Sequence, residues 1–248
     1  MIIENVILFY GCDSQVGTTM TALSAAELLA EKGKNVLYIS AGSTPGIAFS
    51  TAEPAGAAAD LRDSTEDKDE IRQLTAKHCG VDILQGVRSW MNGGNYLKGL
   101  LSELCRMCSR MWDYVIVDGG SSGESSMGQD TLDFAGMIFL VLTQQEKSLY
   151  RWKMRREWIE SRMQAKPYFV VNKFVSNGTF YKESQLQKLL SCEEDRLRTI
   201  PYLPYGWQAE LEKCTLMKYR PFRKAMEKIA VMIEEDKDKE KEIETSEG

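Results

Sequence analysis

Residues 5 to 40 read Asn5-Val-Ile-Leu-Phe-Tyr-Gly11-Cys-Asp-Ser-Gln-Val-Gly17-Thr-Thr-Met20-Thr-Ala-Leu-Ser-Ala-Ala-Glu-Leu-Leu-Ala-Glu-Lys-Gly33-Lys-Asn-Val-Leu-Tyr-Ile-Ser40, and this stretch decides the fold. Asn5 to Tyr10 is a short apolar, aromatic and β-branched run that stops at Gly11. From Thr19 to Lys32 the apolar residues recur at helical spacing until Gly33, and Asn35 to Ser40 is a second β-type run. Strand, loop, helix, strand within forty residues is a βαβ unit, and its crossover helix implies parallel pairing.

The same alternation continues. Val81–Leu84, Tyr114–Val117, Met137–Leu142, Tyr168–Val171 and Leu197–Ile200 are further strand candidates, separated by helical stretches. The pattern predicts a doubly wound, mainly parallel β-sheet with helices on both faces, an α/β architecture. Residues 41 to 63, rich in Gly, Ala, Ser and Thr, read as a long loop with a short helix. No internal repeat is visible, and a single domain over residues 1–233 is expected.

Charge divides the chain unevenly. Of the net −5, all is carried by residues 234–248, with eight acidic residues and three lysines, which leaves a neutral body. A neutral body offers no field for nonspecific DNA binding. The terminal segment lacks apolar residues to bury, so it is expected to be a disordered tail and not a membrane helix. No run of about 18 apolar residues spans a membrane and no signal-like start is present. The six cysteines are scattered through a chain too large to need staples, which fits free thiols in a reducing cytoplasm.

Between the first strand and its helix lies Gly11-Cys-Asp-Ser-Gln-Val-Gly17-Thr18-Thr19, where backbone amides and a helix N-terminus can hold an anion. Against the phosphate-loop pattern G-x-x-x-x-G-K-[ST], Gly17 takes the second glycine and Thr19 the magnesium-binding hydroxyl. Cys12 stands at the first glycine and Thr18 at the lysine. The plainer alternative is an ordinary tight turn with Thr19 as helix N-cap.

On these residues the chain resembles the MinD/ParA group of phosphate-loop ATPases, over Asn5 to about Ile229. The group's deviant Walker-A loop, K-G-G-V-G-K-T-T, aligns with Asp13-Ser14-Gln15-Val16-Gly17-Thr18-Thr19-Met20 and shares Val16, Gly17 and Thr19. Ala22 to Ile39 looks like the helix and strand that follow in the group. Trp112 to Asp118 resembles the strand whose terminal aspartate supports magnesium through water. Val170-Val-Asn172-Lys173 resembles the strand end whose asparagine reads adenine, and Ile200-Pro-Tyr202-Leu-Pro204 the segment closing over the base. Within the group, the lysine-free loop and residues 171–177 look most like the TadZ/CpaE proteins of pilus assembly.

The resemblance implies ATP and magnesium as ligands. It gives Asp13 to Met20, Asn172 and Tyr202 as nucleotide-binding residues, with Thr19 and Asp118 at the metal. It further implies a homodimer that positions a pilus or secretion machine through a protein partner, without inserting into a membrane. The departures bear on catalysis. Asp13 replaces the lysine that reaches the partner's phosphates and Thr18 replaces the loop lysine, so two cations are gone. A well-placed donor is worth about 3 to 4 kcal/mol of transition-state stabilisation, so at most weak ATPase activity is expected. Ser40 to Thr44 also lacks the aspartate of the group's switch I. An active ParA-like partitioning ATPase and a nucleotide-free interaction scaffold remain as alternatives.

Three further features have plain readings. Cys105-Arg-Met-Cys108 is half a zinc site at most, with His78 the sole histidine and no second CxxC, and reads as a pair of core-facing helix cysteines. Arg151-Trp-Lys-Met-Arg-Arg-Glu-Trp158 concentrates positive charge and reads either as a partner surface or as a solvated face with Trp152 or Trp158 packed inward. His78 is open to either a surface or a core position.

Overall fold

The computed structural model of the chain describes residues 1–42, 49–51, 53, 68–85, 99–121, 126–177 and 180–247. Eight strands form one sheet: β1 (Ile3–Gly11), β2 (Val36–Ser40), β3 (Ala76–His78), β4 (Val81–Gln85), β5 (Tyr114–Ser121), β6 (Ala135–Thr143), β7 (Tyr168–Phe174) and β8 (Leu197–Pro201). The strand order is β3-β4-β2-β5-β1-β6-β7-β8, and every neighbouring pair is parallel except β3 with β4. The expected doubly wound α/β sheet is therefore the fold. Seven strands coincide with the apolar runs in the sequence. The eighth, β3, is a three-residue antiparallel edge too short and too polar to announce itself.

Alternation along each strand feeds two cores. In β1, Val6, Leu8 and Tyr10 join one cluster while Ile7 and Phe9 join the other. The first layer is closed by α2 (Lys68–Leu74), α3 (Leu100–Cys108), α4 (Ser126–Thr131), α5 (Glu146–Glu160) and α6 (Glu183–Leu190). The opposite layer is closed by α1 (Thr18–Glu31), α7 (Gly206–Leu211) and α8 (Arg220–Glu247). Phe9 stacks on Phe139 and Phe139 on Tyr168, with centroids 4.8 and 5.3 Å apart, tying the central strands to β7 on that side.

Helix α8 continues past residue 234 to Glu247. Glu and Lys are good helix formers, so a segment with nothing to bury can prolong a helix that the body nucleates. The long loop expected at 41–63 falls mostly outside the described residues, as do residues 43 and 44 of the segment aligned with switch I.

The topology places the site. Strand β1 lies between β5 and β6, and the chain leaves it toward β2 on one side and, later, toward β7 and β8 on the other. That divergence is a topological switch point, where the carboxyl ends of the strands open a crevice.

Candidate functional site

The loop of residues 12–17 leaves β1 at that switch point and enters α1. Gly17 has φ 92° and a Cβ there would sit 2.2 Å from Asn172 Nδ2, so only glycine fits. Gly11 is crowded as well, since a Cβ would meet Thr18 Oγ1 at 2.5 Å. Gln15, at φ 58°, turns the chain so that the following amides point inward to the helix axis. Cys12 N–H is taken by Val141 O at 2.8 Å and Ser14 N–H by Asp13 Oδ1 at 2.6 Å. Among the described residues, no acceptor is recorded for the amides of residues 15–20. Together with the positive end of α1, they form a cradle for an anion. Thr19 lies inside α1, whose N-cap is Gly17, so the plain N-cap reading of Thr19 does not hold.

Thr19 instead lies beside Asp118 of β5, close enough for its hydroxyl to favour the ionised carboxyl. Asp118 is 2% exposed and accepts from Tyr38 Oη at 2.8 Å and Gly120 N at 3.0 Å. Its donors are all uncharged. Burial pushes the Asp118 carboxyl above its ordinary range, and the hydrogen bonds from Thr19, Gly120 and Tyr38 offset part of this. Burial, together with the Asp118 charge, also pushes the Tyr38 phenol well up. A hydroxyl and a buried carboxylate side by side, facing the anion cradle, are the donor set a hydrated magnesium ion uses between protein and phosphate.

Asp13, at the place of the missing lysine, is 4% exposed and turns toward α5. Its Oδ1 is paired with Arg151 Nη1, and Lys147 Nζ stands 4.0 Å from Oδ2. A third cation, Lys173, donates from Nζ to Gln15 O at 2.8 Å. Arg155 lies near enough to Cys12 for its charge to moderate the rise that burial imposes on that thiol. The loop itself carries no lysine, while α5 and β7 bring cations to it. Sequence reading misses this, because a basic helix face looks the same whether it meets water or a carboxylate more than a hundred residues away.

Asn172 reaches the loop, but its amide is engaged: Nδ2 donates to Val16 O at 2.8 Å, and Oδ1 accepts from Lys173 N at 2.8 Å. It acts as a strut beneath the loop. Of the remaining predicted residues, Ser14 and Gln15 are exposed and Val16 and Thr18 are buried. Met20 is buried, with its sulfur accepting from Leu216 N at 3.4 Å. Tyr202 is 54% exposed and fixed through its backbone, N–H to Phe174 O at 2.9 Å.

The plain readings elsewhere stand. Cys105 and Cys108 are fully buried on α3; burial raises both thiols, that of Cys108 to about 12. Trp152 packs inward, edge-on to Phe169 at 5.3 Å, while Trp158 stays half exposed under Arg162. Among the described residues, no helix is long and apolar enough to cross a membrane.

The chain matches no family model and no curated protein sequence. Its fold is nevertheless shared with solved structures. A ParA family ATPase from Chlorobium tepidum superposes with a TM-score of 0.80 at 16% identity, covering 92% of this chain and 99% of the other. The septum site-determining protein MinD from Pyrococcus horikoshii, complexed with Mg-ADP, gives 0.73 at 17%, covering 91% and 94%. A plasmid partition protein from Borrelia burgdorferi bound to AMPPNP gives 0.68 at 16%, covering 94% and 99%. The chain thus has the fold of the MinD/ParA ATPases over nearly its whole length.

Proposed function

We propose that the chain binds magnesium-ATP at the carboxyl end of β1, hydrolyses it poorly or not at all, and works as a dimeric localisation or assembly factor for a bacterial pilus or secretion system. The observation that carries the nucleotide part is the Thr19–Asp118 pair facing the run of amides at residues 15–20. Solved structures of the same fold, the Mg-ADP complex and the AMPPNP complex, support it. Thr18 and Asp13 in place of lysines support slow chemistry, since the transferred phosphoryl group would lack the cations that stabilise its transition state. The pilus or secretion role rests on the TadZ/CpaE-like look of the loop.

A second reading, a scaffold without nucleotide, draws on Asp13, a carboxylate at the mouth of a phosphate cradle. Its pairing with Arg151 and Lys147 weighs against it, because the carboxylate is compensated before any ligand arrives. Thermal unfolding with and without magnesium-ATP decides between the two. A ligand held only by the native state at 100 times its Kd adds about 2.7 kcal/mol. A rise in Tm that Thr19→Ala abolishes supports the nucleotide site, whereas no rise at millimolar ATP overturns it in favour of the scaffold. Turnover approaching that of an active partitioning ATPase would overturn the slow-chemistry part alone.

A further inference from the structure

Away from the phosphate cradle, at the edge of the sheet, the single histidine of the chain meets a carboxylate and a thiol. His78 ends β3 and is nearly buried, and Glu27 on α1 is 5% exposed. His78 Nε2 lies 3.1 Å from Glu27 Oε1, and with Cys79 Sγ these ligand atoms all fall within 4.8 Å of one another. Among the described residues it is the one group of three or more His, Cys, Asp or Glu side chains that converges in this way. The 3.1 Å separation is close to the edge of about 3.3 Å between two ligands bound at 2.0–2.1 Å to one tetrahedral ion.

Two details separate this cluster from a chance meeting. Cys79 and Gly80 form the two-residue turn of the β3–β4 hairpin, with His78 opposite Val81, and both have positive φ, 47° and 83°. Such a turn favours Asn, Asp or Gly at its first position, so a cysteine there is held against its steric preference with its side chain toward Glu27. The far oxygen of Glu27 is fixed as well: Thr215 Oγ1 donates to Oε2 at 2.5 Å, leaving Oε1 for the cluster. An outer partner that orients a carboxylate in this manner is a regular companion of metal ligands. Cys214, next to Thr215, turns its thiol to Glu212 instead, donating to Oε2 at 3.6 Å, and stays outside the cluster.

We propose that Glu27, His78 and Cys79 form a zinc site that fastens the edge hairpin to α1, with a solvent water as fourth ligand. Nitrogen, oxygen and sulfur donors converging on one point match zinc, and the exposed Cys79 gives the ion a way in. On binding, Cys79 forms a sulfur–zinc bond as its thiol proton passes to solvent, with no change of oxidation state. The site is independent of the nucleotide reading.

Cobalt(II) is the probe. The full chain, stripped of metal and kept reduced with a phosphine, should take one cobalt per chain. It should show the visible bands of tetrahedral cobalt with thiolate charge-transfer absorption, and zinc should displace both. Cys79→Ser should weaken cobalt binding at least tenfold, and its exposed position spares the fold. Glu27→Gln should weaken binding similarly, and Cys214→Ser and Cys192→Ser should change nothing. A wild-type spectrum without tetrahedral bands, or a spectrum indifferent to Cys79→Ser, would overturn the site.

Discussion

Asp13 and Asp118 flank the same loop, one just after β1 and the other near the end of β5, and both are almost sealed from water, at 4% and 2% exposure. They are held in opposite ways. Asp13 meets charge with charge, through Arg151 and Lys147 from α5, whereas Asp118 rests on the Tyr38 hydroxyl and the Gly120 amide, with Thr19 beside it. A buried carboxylate with its own counter-ion is finished; one with only neutral donors still carries an unbalanced charge. The first arrangement is structural. The second leaves room for a cation from outside, which under the proposed function is magnesium.

The largest effect should come from breaking the finished pair. Arg151→Ala leaves Asp13 sealed with only Lys147, 4.0 Å away. Removing one partner of a fully buried pair costs about 3–5 kcal/mol, and because Arg151 is 40% exposed, a loss of about 2 kcal/mol in urea denaturation is expected. Adding Asp13→Asn should recover most of it, because the stranded charge disappears. If Arg151→Ala proves neutral, the pair is a surface contact and the contrast with Asp118 fails.

The opposite sign is expected at Asp118. Asp118→Asn removes an uncompensated buried charge; its one oxygen can still accept from Gly120 N while the Tyr38 hydroxyl turns to accept from the new amide, so the metal-free protein should gain about 1 kcal/mol, or about 2–4 °C in Tm. The same change should abolish any magnesium dependence of nucleotide binding. The gain should also depend on pH. A carboxyl raised in the native state binds its proton more readily there than in the unfolded chain, so its stabilising contribution is complete below the unfolded value and lost as pH climbs through the raised one. The advantage of Asp118→Asn should therefore shrink as the pH falls toward 3.8, the ordinary aspartate value, and a series of melts from acid to neutral pH would show it.

These contrasts mark what sequence could and could not carry. Seven strands were legible because each is a local apolar run, and so was the turn into α1, because a glycine at residue 17 is what a left-handed backbone requires. Arg151 was not, since its partner lies 138 residues away. The same holds for Glu27, His78 and Cys79, whose meeting depends on where an edge hairpin lands. Asn172 was expected to read adenine by resemblance; in the structure its amide donates to Val16 O and accepts from Lys173 N, a contact that spacing along the chain does not reveal.

Lys173 sharpens the comparison with the smallest expected effect. It is exposed and donates to the neutral carbonyl of Gln15, so it is the positive counterpart of Asp118: a charge beside the cradle without an opposite charge of its own among the described residues. An exposed hydrogen bond of this kind contributes little to folding, so Lys173→Met should shift stability by no more than about 0.5 kcal/mol. Its effect on the ligand should be proportionally larger. Without Lys173 the Gln15 carbonyl is free to rotate, the amides that follow lose their common aim, and a phosphate loses a nearby cation. The rise in Tm produced by magnesium-ATP should then fall clearly while the melt of the free protein barely moves. An undiminished rise would mean that amides, Thr19 and Asp118 hold the ligand unaided, and Lys173 would belong with Arg151 among the residues that only brace the loop.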